Sequence, residues 1–455
     1  MLKRNQLTLI ILSTALVGCA NIDTSFNEAK QNFQQYQEIT KQYSVKEDWW
    51  TLYQDPQLNN LIVQALENNK NLAKAAINVN KALYAANLVG ANLVPAFNGK
   101  LESTAARNIE HSQPSRINHS GALNVGYTLD LWQRLADSAS AAEWTYKASG
   151  QDLAAARLAL INSVIATYYQ LSFLNDAIYA TEGSIKYYNQ ISQIMQNRFK
   201  LGVADSASTV QTQQSVLRAS NQLLTYQTQR KIAEQTLRNL LNLKPSDPLN
   251  LNLPKILNVK NVGINTNVPV STIANRPDIK SAQYRLNGAF KDTKAMQKSW
   301  FPTVTLGASL SSAGTKVDNA LHTPIAAGLV SVNLPFLNWN VVRWNVKISE
   351  ANYETARLNY EQSITKALNE IDTNYFAYQQ SKSSFDNLQK AYTHNKRITQ
   401  YYKNRYDAGV SQLRDWLMAA NTENDSQLAI LNAKYQLIQQ ENAIYSAMAG
   451  YYTAK

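Results

Sequence analysis

The chain has 455 residues, enough for two or three ordinary domains, yet its 15 Gly and 11 Pro are only about half the usual share. Few turns are made, so the elements between them are long. Basic side chains outnumber acidic ones by 44 to 32 for a net charge of +12, but they are spread along the chain; this fits a solvated surface that suits anionic lipid headgroups and gives no nucleic-acid signature. After the N-terminal segment no stretch reaches the roughly 18 consecutive apolar residues of a spanning helix, so any passage through a bilayer falls to strands.

Lys3 and Arg4 form a positive n-region, residues 7–17 an apolar stretch, and Leu16, Val17, Gly18 and Cys19 close it with small residues before a thiol. The pattern is that of a bacterial lipobox, with 1–18 a signal peptide and Cys19 the acylated first residue of the mature chain; a plain secretory signal is the alternative. Cys19 is the only cysteine, which excludes an intrachain disulfide and a thiol ligand cluster. Ala20 follows it, where Asp would point to inner-membrane retention. Residues 19–57 are expected to be a lipidated extended segment.

A helical stretch rich in Ala, Leu and Asn (57–92) follows and ends before Pro95. Two segments of period-two alternation, about 97–107 and 118–130, are expected strands. Between 127 and 201 only Gly150 and Gly183 interrupt a long helical stretch, which ends in RFKLGVADS at 198–206. A glycine just past a helix end supplies the left-handed residue that reverses the chain, so Gly202 is expected at the tip of a helical hairpin, with Arg198 and the aromatic beside it packing on the last turn. A second helical stretch then runs to a linker at 243–264, rich in Pro and Asn.

The same order recurs beyond the linker. A helical stretch at 277–299 is closed by Pro302, strands are expected at about 303–313 and 325–334, no Gly or Pro falls between 336 and 408, and RYDAGVSQL at 405–413 places Gly409 at a second tip. A fixed offset of 207 pairs Asn68 with Asn275, Pro95 with Pro302, Trp132 with Trp339, Glu143 with Glu350, Tyr146 with Tyr353, Arg198 with Arg405 and Val203 with Val410. The chain therefore reads as one unit written twice, at 58–242 and 265–449, with a tail at 450–455. An unbroken helix of about 65 residues would be roughly 100 Å long, too long for a compact domain.

The strands fit tilted membrane strands in length. Leu123, Val125, Tyr127 and Leu129 alternate with polar or small residues, as do Val304, Leu306, Ala308 and Leu310; in the first strand Gly99 and Ser103 interrupt the apolar phase. Trp132, Trp300 and Trp339 gather where strands meet helices, as an interfacial aromatic girdle would. An amphipathic sheet also packs on helices in water, which would make the chain a periplasmic coiled-coil structural lipoprotein. A bilayer, however, tolerates only closed barrels, and four strands are half of the smallest, about eight, so a membrane reading requires an oligomer of two or three copies.

His111, His119 and His322 fall in the strand-to-strand loops without metal-ligand spacing. No paired-acid, triad or phosphate-loop motif is present, so neither an enzyme nor a cofactor is expected.

Together, EDWWTLYQDPQLNNLIVQALENN (47–69), YTLDLWQRLADS (127–138), NRPDIKSA (275–282), SWFPTVTLGASL (299–310) and the two Gly-Val tips resemble the outer membrane factor family, the TolC-like export channels, in its lipid-anchored efflux branch. The resemblance covers nearly the whole mature chain. It departs from the family at Asn275 and Arg276, where paired arginines are frequent, and at Trp339 and Asn340, where two glycines are frequent; both read as local packing changes.

The resemblance implies a mainly α protein with a membrane β part. It would be a homotrimer whose twelve strands form one outer membrane barrel, above a periplasmic α-helical barrel with an equatorial belt. Such a duct performs no chemistry and conducts what an inner-membrane pump, here of the resistance-nodulation-division type, and a periplasmic adaptor deliver. Drugs or other small molecules are the expected cargo, with type I protein secretion or metal-ion efflux as alternatives. By the resemblance, Arg198, Gly202, Val203, Arg405, Gly409 and Val410 dock the adaptor. Asp415, six residues after Gly409, would line the periplasmic gate with Arg414 beside it.

Overall fold

The computed structural model describes residues 19–107, 114–265, 267–318, 322 and 324–454. The expected signal peptide and His111 lie outside them. Cys19 opens helix α1 (Cys19–Lys41), which corrects the extended segment expected after the lipobox. Ile22, Phe26, Ala29 and Phe33 recur at spacings of four and three, which places them on one helical face, and Ile22, Ala29 and Phe33 are buried. The burial of that face, not intrinsic propensity, holds this Gln- and Asn-rich segment helical.

The chain continues through β1 (Tyr43–Lys46), α2 (Pro56–Asn68), α3 (Lys70–Gly90), β2 (Ala96–Ala106), β3 (Arg116–Leu129), α4 (Arg134–Lys200) and α5 (Ser206–Leu241). After the linker come α6 (Pro277–Gln297), β4 (Thr303–Gly314), β5 (Ile325–Asn333), α7 (Trp339–Asp407), α8 (Leu413–Ala447) and β6 (Tyr451–Ala454). The offset of 207 carries both bounds of α3 onto those of α6, the last residue of α4 onto that of α7, and the first residue of α5 onto that of α8. The duplication is thus a property of the backbone as well as of the letters. Helices α4 and α7, with 67 and 69 residues, each run about 100 Å at ~1.5 Å per residue. Among the described residues no helix is long and apolar enough to cross a membrane.

Two compact units divide the chain. The first gathers residues 19–34, Ala76–Asp152 and Asp278–Ser363. Its sheet is antiparallel in the order β2-β3-β4-β5. Adding 207 to both members of the β2·β3 pair Ala96↔Gly126 gives the β4·β5 pair Thr303↔Asn333, so the two hairpins share one register. That register lines up Tyr127, Leu306 and Val330, then Leu129, Val304 and Val332, on one face. Thr128, Thr305 and Ser331 lie on the other. The interruption at Gly99 has a packing reason: a Cβ there would lie 3.3 Å from Leu123 Cδ2, and one at Gly121 would lie 3.1 Å from Leu101 Cδ2. Each glycine leaves room for a leucine of the neighbouring strand, so the apolar face is continuous although the letters are not. Edge strands β2 and β5 are exposed along their whole length.

Helix α6 lies on the start of α4 in this unit. A Cβ at Gly288 would meet Ala141 O at 3.3 Å, Trp144 and Tyr284 rings sit 5.4 Å apart, and Asp137 accepts from Lys291 at 2.9 Å and Lys298 at 2.5 Å. Helix α1 packs here through Phe26, stacked 4.0 Å from Phe290, and through Asp23, paired with Lys294 at 2.6 Å.

The second unit comprises Gln35–Ala75, Leu153–Pro277 and Ile364–Lys455. Its core gathers Trp49, Leu58, Ile165, Tyr168, Leu237 and Ile438. The linker is packed into it: Ile256 is fully buried and its amide donates to Asp176 at 2.7 Å. One face of α8 grips the linker further on. Lys434 donates to Asn261, Glu441 Oε1 accepts from the Gly263 amide at 3.0 Å, and Tyr445 donates to the Gly263 carbonyl. The hydroxyl of Tyr169 is buried without a hydrogen-bonding partner among the described residues.

Burial holds the Glu441 carboxyl above its ordinary value of 4.5, against the pull of backbone donors and Lys434, while burial lowers the Lys434 ammonium. A carboxyl whose folded value is raised binds protons better when folded, so its contribution to stability is full below its unfolded value and is lost as pH rises through the folded one. Glu441→Gln, which keeps an acceptor for Gly263, is therefore expected to gain thermal stability relative to wild type as pH rises from 4.5 towards neutrality. Melting curves of the detergent-solubilised pair check this, and a difference that does not change with pH would refute it.

Candidate functional site: the two hairpin tips

Each tip is closed by the same backbone device. Helix α4 ends with Gly202 at φ 72°, where the Gly202 amide donates to Phe199 O and the Val203 amide to Arg198 O at 2.9 Å each. Helix α7 ends with Gly409 at φ 75°, with Gly409 donating to Tyr406 O at 3.0 Å and Val410 to Arg405 O at 2.9 Å. This double closure places a left-handed residue just past the helix, and nothing lies within 4 Å of where either Cβ would sit. Backbone conformation rather than space therefore requires glycine at both positions. The motif's Arg occupies the position whose carbonyl receives the outer bond, and its aromatic the position whose carbonyl receives the inner one.

The arginines do different work. Arg405 stays within its own hairpin, donating to Tyr401 Oη and Val410 O at 3.2 Å each. Arg198 reaches across to the other hairpin: it donates to Tyr406 Oη, with its guanidinium 5.3 Å from that ring's centroid. Behind this contact Trp416 of α8 donates its indole N–H to Tyr187 Oη of α4 at 2.8 Å and lies 5.3 Å from the Tyr406 ring. Tyr188, Ile191, Met195, Leu413 and Leu417 belong to the same buried cluster. Burial raises both Tyr187 and Tyr188 above the ordinary phenol value, so both phenols stay neutral across physiological pH. Tyr187 and Trp416 were missed in the sequence, and Tyr406 was read only as the aromatic of its tip motif. Trp416 falls on Thr209 in the first copy, so the duplication passes over it; its being the one tryptophan of α8 was the available signal.

The acids at the tips cap helices. Asp205 is the N-cap of α5, accepting from the Ser208 amide at 2.8 Å; hydrogen bonds from Ser208 hold its carboxyl below the usual range. The second hairpin has Gln412 at that position and moves the acid three residues on, where Asp415 Oδ2 accepts from the Gln412 amide at 3.4 Å. Asp205 and Asp415 are thus two ways of satisfying the first turn of a helix. Arg414 is exposed and forms no ion pair with Asp415 among the described residues. Val203 and Val410 are 62% and 60% exposed, a bare apolar pair on a cationic rim.

The other predicted residues lie elsewhere. Cys19 is the first residue of α1. Trp132 donates to Pro302 O at 2.9 Å and stacks 4.8 Å from Phe301. Trp300 is half-buried and Trp339 exposed at the head of α7. His119 contacts Ser103 at 2.9 Å and His322 is exposed.

The model of the outer membrane efflux protein family matches this chain twice, over residues 61–243 and 268–450; the two matches are again 207 apart. An uncharacterized protein of Haemophilus influenzae is 64% identical over 99% of this chain and 100% of its own length. The toxin and drug export protein A of Aggregatibacter actinomycetemcomitans is 62% identical over 100% of this chain and 99% of its own. Among solved structures, the Campylobacter jejuni CmeC outer membrane channel shares the fold with a TM-score of 0.79 at 23% identity, over 90% of each chain. Two family matches in one chain, full-length relatives and a shared channel fold agree: the chain belongs to the outer membrane efflux protein family.

Proposed function

We propose that this chain is the exit duct of a tripartite efflux system, a passive outer membrane channel for small molecules handed to it by an inner-membrane pump through a periplasmic adaptor. One observation carries the reading: an amphipathic four-stranded sheet with two exposed edges feeds directly into helices of 67 and 69 residues, each strand hairpin with its long helix being one of two copies at a fixed offset. Three copies would supply twelve strands to one barrel. Trp132, Trp300 and Trp339 would lie at the membrane interface, and acylated Cys19 would anchor α1 to the outer membrane. The exposed rim of Arg198, Gly202, Val203, Arg405, Gly409 and Val410 would receive the adaptor. Asp415 and Arg414 lie on the second hairpin, where three symmetry-related carboxylates would favour cations. A pump of the resistance-nodulation-division type suits this branch.

A second cargo is favoured by the relative at 62% identity, whose name joins a toxin to drugs. The same duct would then serve a polypeptide exporter as well as a drug pump. Deleting the gene and restoring it on a plasmid separates the readings. Loss of resistance to several unrelated drugs is expected; loss of secretion of a large polypeptide would add the second cargo, and a deletion that changes neither would sink the proposal.

A further inference from the structure

We propose that the apolar face of the sheet carries a site for a phosphate-bearing lipid of the outer leaflet, with an acyl chain in a cleft over Gly99 and the headgroup held near Arg107, His119 and Lys316. The inference rests on the membrane reading proposed above and adds to it a ligand class and the residues that recognise it.

The strand register sorts the apolar face into rows. Phe97, Val125 and Ala308 form one row, and Gly99, Leu123 and Leu310 the next. Gly99 and Ala308 leave these rows shallow, and a cleft of about 420 Å³ lies over them. Phe97 and Leu123 stand beside it 81% and 63% exposed, a surface suited to an alkyl chain. Two rows further towards the loops the same face turns polar: Ser103 and His119 lie opposite each other, with Oγ and Nδ1 2.9 Å apart. Arg107 and Lys316, both exposed, follow just past the ends of β2 and β4.

The spacing is that of one leaflet. On β3 the apolar-face positions run from Leu129 at the helix end to His119 at the loop end, about 34 Å along the strand at ~3.4 Å per residue. Tilted by about 45°, that length rises about 24 Å, the height of the lipid-facing band of a barrel. Leu123 and Val125 sit at its middle, so the cleft lies at the centre of the bilayer and the cationic end at the surface on the loop side. A chain lying in the cleft therefore leads to a headgroup at that surface, which a free anion or a peptide does not match. Surrounded by hydrocarbon, the cleft contributes packing alone; attraction to phosphate comes from the cations.

The site is written once. The offset of 207 sets Leu306 against Gly99, Leu310 against Ser103, Ala326 against His119 and Gly314 against Arg107. The second hairpin thus fills the place of the cleft and drops the polar and cationic residues with it. A face that met only fluid chains would gain nothing from these features on one hairpin alone.

Native mass spectrometry of the full-length protein, extracted from outer membranes in mild detergent, tests this, with the lipid identified after release. Wild type is expected to retain lipid A, a doubly phosphorylated glycolipid. Arg107→Gln with Lys316→Gln should lower retention about 30-fold. Ala308→Phe should lower it by filling the cleft with both charges in place, and Lys100→Gln, on the opposite face, should leave it unchanged. Protein stripped of lipid should take up lipid A in preference to phosphatidylglycerol and to inorganic phosphate. Uptake of either alternative as readily as lipid A, full retention by the double variant, or full retention by Ala308→Phe overturns the inference. Wild type recovered from outer membranes without lipid A sinks this inference alone; a chain absent from outer membranes brings down the duct reading with it.

Discussion

Trp416→Ala is expected to loosen the second hairpin and raise ion conductance through the duct. Trp416 is 3% exposed and touches the first hairpin through Tyr187 and the second through Tyr406. Truncating a buried tryptophan costs about 3–5 kcal/mol, divided between lost burial and the cavity left behind. Most of that cost falls locally, because α4 and α8 hold each other further along through their own cores, with Asn442 donating to Asn162 O at 3.2 Å. The result is a frayed tip on an intact chain: faster amide exchange over 413–420, larger single-channel conductance in planar bilayers, and greater sensitivity to bulky antibiotics. Trp416→Phe keeps the ring and loses only the indole donor, worth about 1 kcal/mol, and should fall between the two. Conductance unchanged in Trp416→Ala would show that this cluster does not hold the mouth.

Arg276→Met should produce a global loss of stability. Arg276 is 8% exposed; one arm of its guanidinium donates to the Ala447 carbonyl at 2.5 Å and the other to Glu370 at 2.8 Å. Ala447 is the last residue of α8, so its carbonyl has no partner inside the helix, and a cation there also meets the negative end of the helix dipole. Two charge-assisted bonds at about 1.5–3 kcal/mol each set the scale. Glu370 is partly exposed and recovers water, which brings the expected loss to about 3 kcal/mol. Arg276→Lys keeps the charge but has no planar fork to reach both acceptors, so it should recover only part. Thermal melts of the three proteins check this, and equal stabilities would refute it.

The features legible in the sequence were those set by local chemistry. Gly202 and Gly409 announce themselves because only glycine adopts a left-handed conformation cheaply, and the strands do so by their period. Contacts between elements distant in sequence were less visible. Gly99 looked like a flaw in an apolar face because the leucine that covers it, Leu123, is on another strand. Asp415 drew notice by its spacing from Gly409, yet its counterpart in the first repeat is Asp205, three residues earlier in the equivalent turn and also engaged in capping. Helix α1 went unread for a different reason: Gln and Asn dilute its apolar residues, and its heptad-like spacing becomes meaningful only against Phe290 and Tyr353. Tyr406 was in view as the motif's aromatic, but its role depends on Arg198, 208 residues away.

The exposed edges of β2 and β5 bear on how such a duct comes to exist. Each unpaired backbone group left in hydrocarbon costs several kcal/mol, so a lone four-stranded sheet has no stable resting place inside a bilayer. For the oligomeric duct proposed above, insertion and association would then be one step, and the rate of barrel formation would depend steeply on the concentration of waiting chains. On the oligomeric reading proposed above, each chain would until then be an intermediate with two sticky strand edges, a substrate for chaperones and proteases. Modest changes in synthesis would then translate into disproportionate changes in the number of working pores.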